Sequence, residues 1–188
     1  MAPVDQLRQR PTHSGALGRA AAVLCLLSAV LPLRAEEPNE YQVKAAFLMN
    51  FTKFVEWPQT TFRDPSQPIT ICVYGDDPFG AALDQAVEGE IVAGHRLTVE
   101  HLHRPPAPRA CQVLFISRTE RDPAAIVAAA GPGVLTVGDD DRFLRDGGAI
   151  AFVVQARHVR FDISLRATAK ASLTISSRLL NVARTVVR

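Results

Sequence analysis

Two cysteines, Cys72 and Cys111, lie in strand-like apolar runs of this 188-residue chain. Thiols in such positions either pair as a disulfide or stay reduced and buried. The cellular compartment decides between the two outcomes, because disulfides persist in exported proteins and are rare in the cytosol. The state of the pair therefore depends on whether the chain is exported.

The first 35 residues have the pattern of a secretory signal peptide. Basic residues precede an apolar stretch, residues 20–33, that is short for a membrane span, and Ala35 closes a plausible cleavage site. The third cysteine, Cys25, falls inside this stretch and is expected to be removed with it. The predicted mature protein is a single domain of residues 36–188 in the periplasm.

The mature chain then keeps an even pair of cysteines, which favours a Cys72–Cys111 disulfide between two neighbouring strands. The alternative is a pair of free buried thiols. Closing a loop of this length stabilises a fold by about 4 kcal/mol on the chain-entropy model.

Charge gives little indication of a charged partner. The formal net charge of the whole chain is +2, of which the predicted signal peptide contributes +3, so the mature domain carries about −1. Nucleic acid and anionic membranes are therefore not expected as partners. No cofactor is expected either, because no glycine-rich phosphate-binding loop is present.

Polar side chains follow three of the predicted strands. Asp76 and Asp77 come after the first, Ser117 after the second cysteine run, and Asp139 after the next strand. Loops at the carboxyl ends of parallel strands are where α/β sheets bind ligands. These four residues are therefore the predicted site for a small polar ligand.

Other candidate constellations have two interpretations each. His101 and His103 share one strand face, which begins a metal site or is simply solvated, and no third ligand has suitable spacing. Asp139-Asp140-Asp141 either holds a cation or, as the favoured interpretation, supplies one helix cap and two solvated carboxylates. Several late arginines are either solvated or form an anion site. These are Arg157, Arg160, Arg166, Arg178 and Arg184. No nucleophile, base and acid can be assembled, so no catalytic residues and no metal are predicted, and the protein is not expected to be an enzyme.

The elements that must position these residues begin with a helix over residues 40–55, capped by Asn39. Its apolar residues form two stripes, so the helix is either deeply buried or shared with a partner. The second interpretation predicts a homodimer. Phe47, Phe51 and Trp57 are the candidate partner contacts, with core packing as the alternative.

Apolar and alternating runs downstream predict about six strands, at residues 69–74, 96–102, 111–116, 134–137, 149–154 and 159–163. The last two form a hairpin. Helices are predicted at residues 81–87 and 122–130, and the final segment, 167–187, is mixed, with an extended break at 173–175. Strands that alternate with helices and end in a hairpin define an α/β fold, a mixed sheet flanked by helices.

Several blocks, in order along nearly the whole mature chain, resemble the YfiR family of periplasmic regulators. The blocks are Ala45-Ala46-Phe47-Leu48-x-Asn50-Phe51-x-Lys53-Phe54-x-x-Trp57-Pro58, Ile71-Cys72-Val73-x-Gly75, Cys111-Gln112-Val113-Leu114-Phe115-Ile116, Leu135-Thr136-Val137-Gly138-Asp139, Gly148-x-Ile150, Phe161-x-Ile163-x-Leu165 and Ile175-Ser176-Ser177-x-Leu179-Leu180. The resemblance implies a dimeric, non-enzymatic sensor-repressor that holds down the periplasmic domain of an inner-membrane diguanylate cyclase. It also implies release by an outer-membrane OmpA-like lipoprotein. The alternative is a small-solute binding module that serves a sensor kinase or an outer-membrane receptor.

The chain departs from the family pattern in two places. Leu144 and Ala151 stand near the positions of a second disulfide that some members carry. Glu56, Thr174 and Ser176 stand where some members carry basic residues for a nucleotide-like ligand. The resemblance therefore carries neither that disulfide nor that anion site over to this chain.

Overall fold

A computed structural model describes residues 39–104 and 110–188, which form one domain. The predicted signal peptide, including Cys25, lies outside the described residues. So does most of the proline-rich connection at residues 104–108, which follows the strand predicted at residues 96–102. Within the described ranges, no helix is both long enough and apolar enough to cross a membrane.

The elements follow one another as an alternating series with several short additions. The helices are α1 (Glu40–Phe54), α2 (Ala81–Val87), α3 (Pro123–Ala130), α4 (Leu165–Lys170) and α5 (Ser177–Val182). The strands are β1 (Val55–Glu56), β2 (Ile69–Tyr74), β3 (Ile91–Val92), β4 (His95–Leu102), β5 (Val113–Ile116), β6 (Leu135–Gly138), β7 (Ile150–Gln155), β8 (His158–Ser164), β9 (Thr174–Ile175) and β10 (Thr185–Val187).

The main sheet has eight strands in the order β10-β8-β7-β6-β5-β2-β4-β3. Strands β4, β2, β5, β6 and β7 run parallel to one another, whereas β8 is antiparallel to β7. The predicted α/β class and mixed sheet are confirmed, and all six predicted strands are present. The two further members, β3 and β10, are short strands at the two edges.

Local sequence explains where α1 begins. The Asn39 side chain accepts from the backbone N–H of Gln42, and the Gln42 side chain accepts from that of Asn39, which forms a capping box. The helix ends at Phe54, and the next two residues form β1, which pairs with β9 in a separate two-stranded sheet. The extended break predicted at residues 173–175 therefore contains β9, which pairs with β1 directly after α1.

Helices cover both faces of the main sheet. The larger core lies under α1 and α2, where Leu48 and Leu83 pack with Ile71 and Val73. The smaller core lies under α3, where Ile126 packs with the opposite side chains of β2 and β5. Because helices bury both faces, the central strands read as continuous apolar runs.

The β7–β8 hairpin closes with a two-residue turn. Ala156 and Arg157 both have positive φ, at 49° and 65°, as a type I′ turn requires. The antiparallel register runs from Ile150 opposite Ile163 to Gln155 opposite His158. This pairing confirms the predicted hairpin.

Candidate functional site

Cys72 and Cys111 form a disulfide. Cys72 lies in β2 and Cys111 lies just before β5, the adjacent strand, with their Cα atoms 5.8 Å apart. Both residues are buried in the smaller core under α3. The bridge therefore ties together two parallel strands that are separated by 39 positions in sequence.

The strands joined by this bridge are also where the chain changes direction across the sheet. From β2 the chain moves outward to β4, and it then returns to β5 on the other side of β2. In open α/β sheets, ligands bind at such a point, outside the carboxyl ends of the strands. Here the Ser117 N–H donates to the Tyr74 carbonyl at 3.0 Å, which holds the two loops together.

Helix α1 reaches this edge of the sheet through two residues that the sequence analysis did not select. The Lys44 ammonium group forms ion pairs with Asp139, after β6, and with Glu40, one turn earlier on α1. The Tyr41 hydroxyl donates to the other Asp139 oxygen at 2.8 Å. Burial, together with this hydrogen bond, raises the pKa of Tyr41 to about 12.

The Asp139–Lys44 pair is almost wholly removed from solvent, with side chains 3 % and 2 % exposed. The expectation that Asp139 is either a cap or solvated is therefore wrong. The available signal was a lysine within an apolar helix, since lysine is rarely buried without a partner. The identity of the partner, 95 residues away, could not be derived from local pattern.

Asp140 supplies the predicted cap. Its carboxylate accepts from the Arg142 backbone N–H at 2.8 Å and from the Arg142 guanidinium group at 2.9 Å. These bonds lower the pKa of Asp140, the side-chain bond having the larger effect. They also anchor the turn that follows β6.

Two glycines let this turn approach the sheet closely. A Cβ atom added at Gly138 or at Gly148 would lie 2.1 Å from the ring of Phe143, so the ring occupies space that any other residue would fill. Phe143 is buried in the smaller core. The turn thereby holds Asp139 and Asp140 at the end of β6.

Two adjoining cavities, which we call the carboxyl-edge cleft, lie beside this turn. One, of about 310 Å³, is lined by Ser117, Arg118 and Arg142 among others. The other, of about 330 Å³, is lined by Lys44, Arg118 and the apolar side chain of Phe152. Asp139 and Asp140 line both. Thus the structure brings Ser117 and Asp139 to one cleft, as the ligand prediction requires.

The other two predicted ligand residues point to different surroundings. Asp76 and Asp77 line neither cavity of the cleft. The Asp77 carboxylate accepts from the Phe79 N–H at 2.8 Å and lies 3.6 Å from His101 Nδ1. The other nitrogen of His101 lies 4.0 Å from Asp84 of α2. Among residues 39–104 and 110–188, no three histidine, cysteine or acidic residues are arranged to hold a metal ion.

The predicted partner residues lie on the larger core. Phe51 is 0 % exposed and packs on Phe152 and Phe161, with ring centroids 5.8 and 5.0 Å apart. Phe47 contacts the same rings but is half-buried, as is Trp57. A partner can therefore reach Phe47 and Trp57 on this surface, whereas Phe51 supports Phe47 from inside.

The two predicted ligand residues in the cleft, Asp139 and Ser117, already have hydrogen-bond partners within the protein. Both oxygens of Asp139 already accept hydrogen bonds, from Tyr41 and Lys44. The Ser117 hydroxyl contacts the Thr119 hydroxyl at 3.1 Å, and within the part of the chain that the structure describes it forms no hydrogen bond to a histidine or a carboxylate.

Fold and site together define a single-domain α/β protein with a polar cleft at the carboxyl edge of its parallel strands. The chain belongs to the YfiR/HmsC-like family, whose model matches residues 41–184. This membership confirms the resemblance drawn from the sequence blocks, and it supports a role as a periplasmic regulator.

Comparison with solved structures finds the same fold in a conserved domain protein from Vibrio cholerae O1 biovar eltor. The two chains are 10 % identical and superpose with a TM-score of 0.51 over 80 % of this chain. The match spans 61 % of that protein's length. A search of curated proteins finds no match.

The departures from the family pattern lie together in the structure. Glu56 and Thr174 are directly opposite each other in the β1–β9 pair, next to Ser176. Ala151 is buried in the smaller core, and Leu144 packs against it there. The residues of each of the two departures therefore lie close together in the fold.

Proposed function

We propose that this protein is a non-enzymatic periplasmic repressor that binds the periplasmic part of an inner-membrane signalling protein. A diguanylate cyclase is the proposed partner, so the protein would control cyclic di-GMP signalling and biofilm formation. An outer-membrane OmpA-like lipoprotein is the proposed partner that releases it. Family membership over residues 41–184 is the observation that carries the proposal.

The surface of α1 supports the interaction part of this proposal. Phe47 and Phe54 are half-buried and lie on one side of the helix, and Trp57 follows three residues after Phe54, where the helix ends. Aromatic side chains contribute most to binding energy at protein interfaces. Partly exposed aromatic residues on a rigid helix are suited to that role.

A second candidate function is the binding of a small periplasmic solute on behalf of a sensor kinase or outer-membrane receptor. The carboxyl-edge cleft favours it, because charged side chains of both signs lie there beside the apolar ring of Phe152. Clefts with a few polar groups and an apolar wall are typical of small-molecule sites.

Loss of the gene should raise cyclic di-GMP and surface attachment in the native host. Complementation with wild-type protein should reverse both effects, whereas Trp57→Ala should restore less repression because it truncates a half-buried aromatic side chain on the proposed contact surface. Phe62→Ala is the matched control, since Phe62 is also half-buried but stacks on His95, 4.1 Å away, elsewhere on the domain.

Two outcomes separate the proposals. Unchanged cyclic di-GMP on deletion would reject the cyclase partner, and capture of a sensor kinase or receptor would then favour the second function. Equal repression by folded Trp57→Ala and Phe62→Ala variants would exclude a role for the Trp57 side chain.

We also propose that the protein forms a homodimer. Val43, Phe47 and Phe54 leave apolar surface partly exposed on one side of α1 after the core is packed. Sedimentation velocity at micromolar concentration should show a dimer, and Val43→Asp should shift it toward monomer. Gln42→Asp, on the exposed side of the same helix, is the control. A monomer for the wild-type protein would refute the dimer.

A further inference from the structure

The last strand, β10, forms one edge of the main sheet. Among residues 39–104 and 110–188 it pairs with β8 alone, on one side, and all three of its residues are exposed. Val186 and Val187 are 36 % and 46 % exposed, values that are high for valine in a strand. An open edge of this kind presents unpaired backbone groups to any extended chain that fits it.

The hydrogen-bond pattern shows which backbone groups are free. The Phe161 carbonyl of β8 accepts from the Arg184 N–H at 2.8 Å, so Phe161 directs its backbone groups toward β10, whereas the Ser164 N–H donates to the Ala149 carbonyl on the β7 side. Ile163 therefore also faces β10, and the parallel register, with Thr185 opposite Asp162, makes Thr185 and Val187 the residues that bond to β8. Val186 therefore directs its N–H and C=O groups toward the open edge.

The segment that ends in this strand is uniformly basic. Residues 164–188 contain five basic side chains and no aspartate or glutamate. The five are exposed, namely Arg166, Lys170, Arg178, Arg184 and Arg188. Arg184 is paired with Asp162, and the other four form no ion pair within the described residues. Helix α4, which carries two of them, contacts β10.

This charge argues against a second copy of the chain as the occupant. An antiparallel two-fold pairing centred on Val186 would place Arg184 of each copy opposite Arg188 of the other. Like charges directly opposite each other destabilise a strand pair. An acidic strand in the same position would instead face cations.

We propose that β10 is a docking edge for an extended acidic segment of the partner protein, which adds a ninth strand to the sheet. The added strand bonds to the backbone groups of Val186, and its carboxylates face the basic residues around the edge. This inference rests on the proposed function in that the segment belongs to the regulated partner. It is a mode of strand addition in which backbone bonds give affinity and side chains give specificity.

A labelled peptide that alternates valine and glutamate is the probe. Fluorescence anisotropy should show binding of this peptide to the full mature protein, with much weaker binding of the same peptide carrying lysine for glutamate. Val186→Pro removes an N–H that points away from β8, so it should weaken binding about tenfold or more while the fold is kept. Val186→Thr keeps the N–H and should bind like wild type.

Amide hydrogen exchange gives a readout that needs no variant. The Val186 amide should exchange quickly in the free protein and slowly with the acidic peptide bound, whereas the Thr185 and Val187 amides, which face β8, are protected in both. Equal binding by Val186→Pro and Val186→Thr, or no change in the Val186 amide, would overturn the proposal. So would equal binding of the lysine peptide, or binding to anionic phosphatidylglycerol vesicles in place of the peptide.

A pull-down separates this inference from the proposed function. If wild type and Val186→Pro capture the membrane partner equally, the edge is not the docking site and the regulatory function stands. If wild type captures no partner, the regulatory function fails, and the peptide experiment still decides whether the edge binds an acidic strand.

Discussion

Replacing Lys44 with methionine is expected to lower the free energy of unfolding by about 3–5 kcal/mol. The lysine ammonium group is buried between Glu40 and Asp139. Methionine keeps much of the apolar stem but leaves the Asp139 carboxylate without its cation, in a position that is 3 % exposed. An unpaired buried charge is the costly element, and urea unfolding of the purified domain measures it.

Lys53→Met is the matched control on the same helix. Lys53 forms an ion pair with Glu90 at 2.9 Å, but its side chain is 37 % exposed, so its loss should cost about 1 kcal/mol or less. Combining Lys44→Met with Asp139→Asn removes both charges and should restore part of the lost stability. If Lys44→Met costs no more than Lys53→Met, the pair does not stabilise the fold as argued.

The Lys44–Asp139 pair also links the two surfaces on which the function was proposed. Asp139 lines the carboxyl-edge cleft, and Lys44 lies one turn before the Phe47 aromatic contact on α1. A solute that competes for either charge in the cleft would therefore act directly on α1. In such a design, solute binding and partner binding are parts of one regulatory function.

Sequence pattern predicted the central strands well because each is buried on both faces and reads as an apolar run. The edge strands were not predicted, since β3 has two residues and β10 lies in a segment whose pattern is mixed. Such short edge strands carry little pattern of their own. Their pairing is set by the neighbouring strand, β4 or β8, which periodicity does not reveal.

The sequence predicted only those residues of the candidate site that directly follow a strand. Ser117 and Asp139 lie where the carboxyl ends of adjacent strands place them, so strand order alone was sufficient. Asp77 does not line the cleft, because its loop turns toward α2 and its carboxylate lies near His101. Tyr41 and Lys44 were not predicted because they enter the site from a helix remote in sequence, which no local spacing indicates.

Loss of the Cys72–Cys111 bridge is expected to lower the free energy of unfolding by about 4 kcal/mol. The bridge closes a loop of 39 positions, and on the chain-entropy model the unfolded chain gains most of its freedom when such a loop opens. Urea unfolding of Cys72→Ala/Cys111→Ala measures the loss. Both sulfur positions are buried in the smaller core, so native protein should also resist reduction until it unfolds.

Comparing oxidised with reduced wild-type protein isolates the bond from the effect of removing two buried sulfur atoms. Reduced wild type should be destabilised nearly as much as the double variant, because the same loop opens in both and only the side-chain volume differs. Mass spectrometry of the exported protein, alkylated in denaturant, should find no free thiol before reduction and two afterwards. Two alkylated cysteines without reduction would show that the thiols remain free. Then the stability of the β2–β5 pair rests on packing alone, and the reduced and oxidised unfolding curves should coincide.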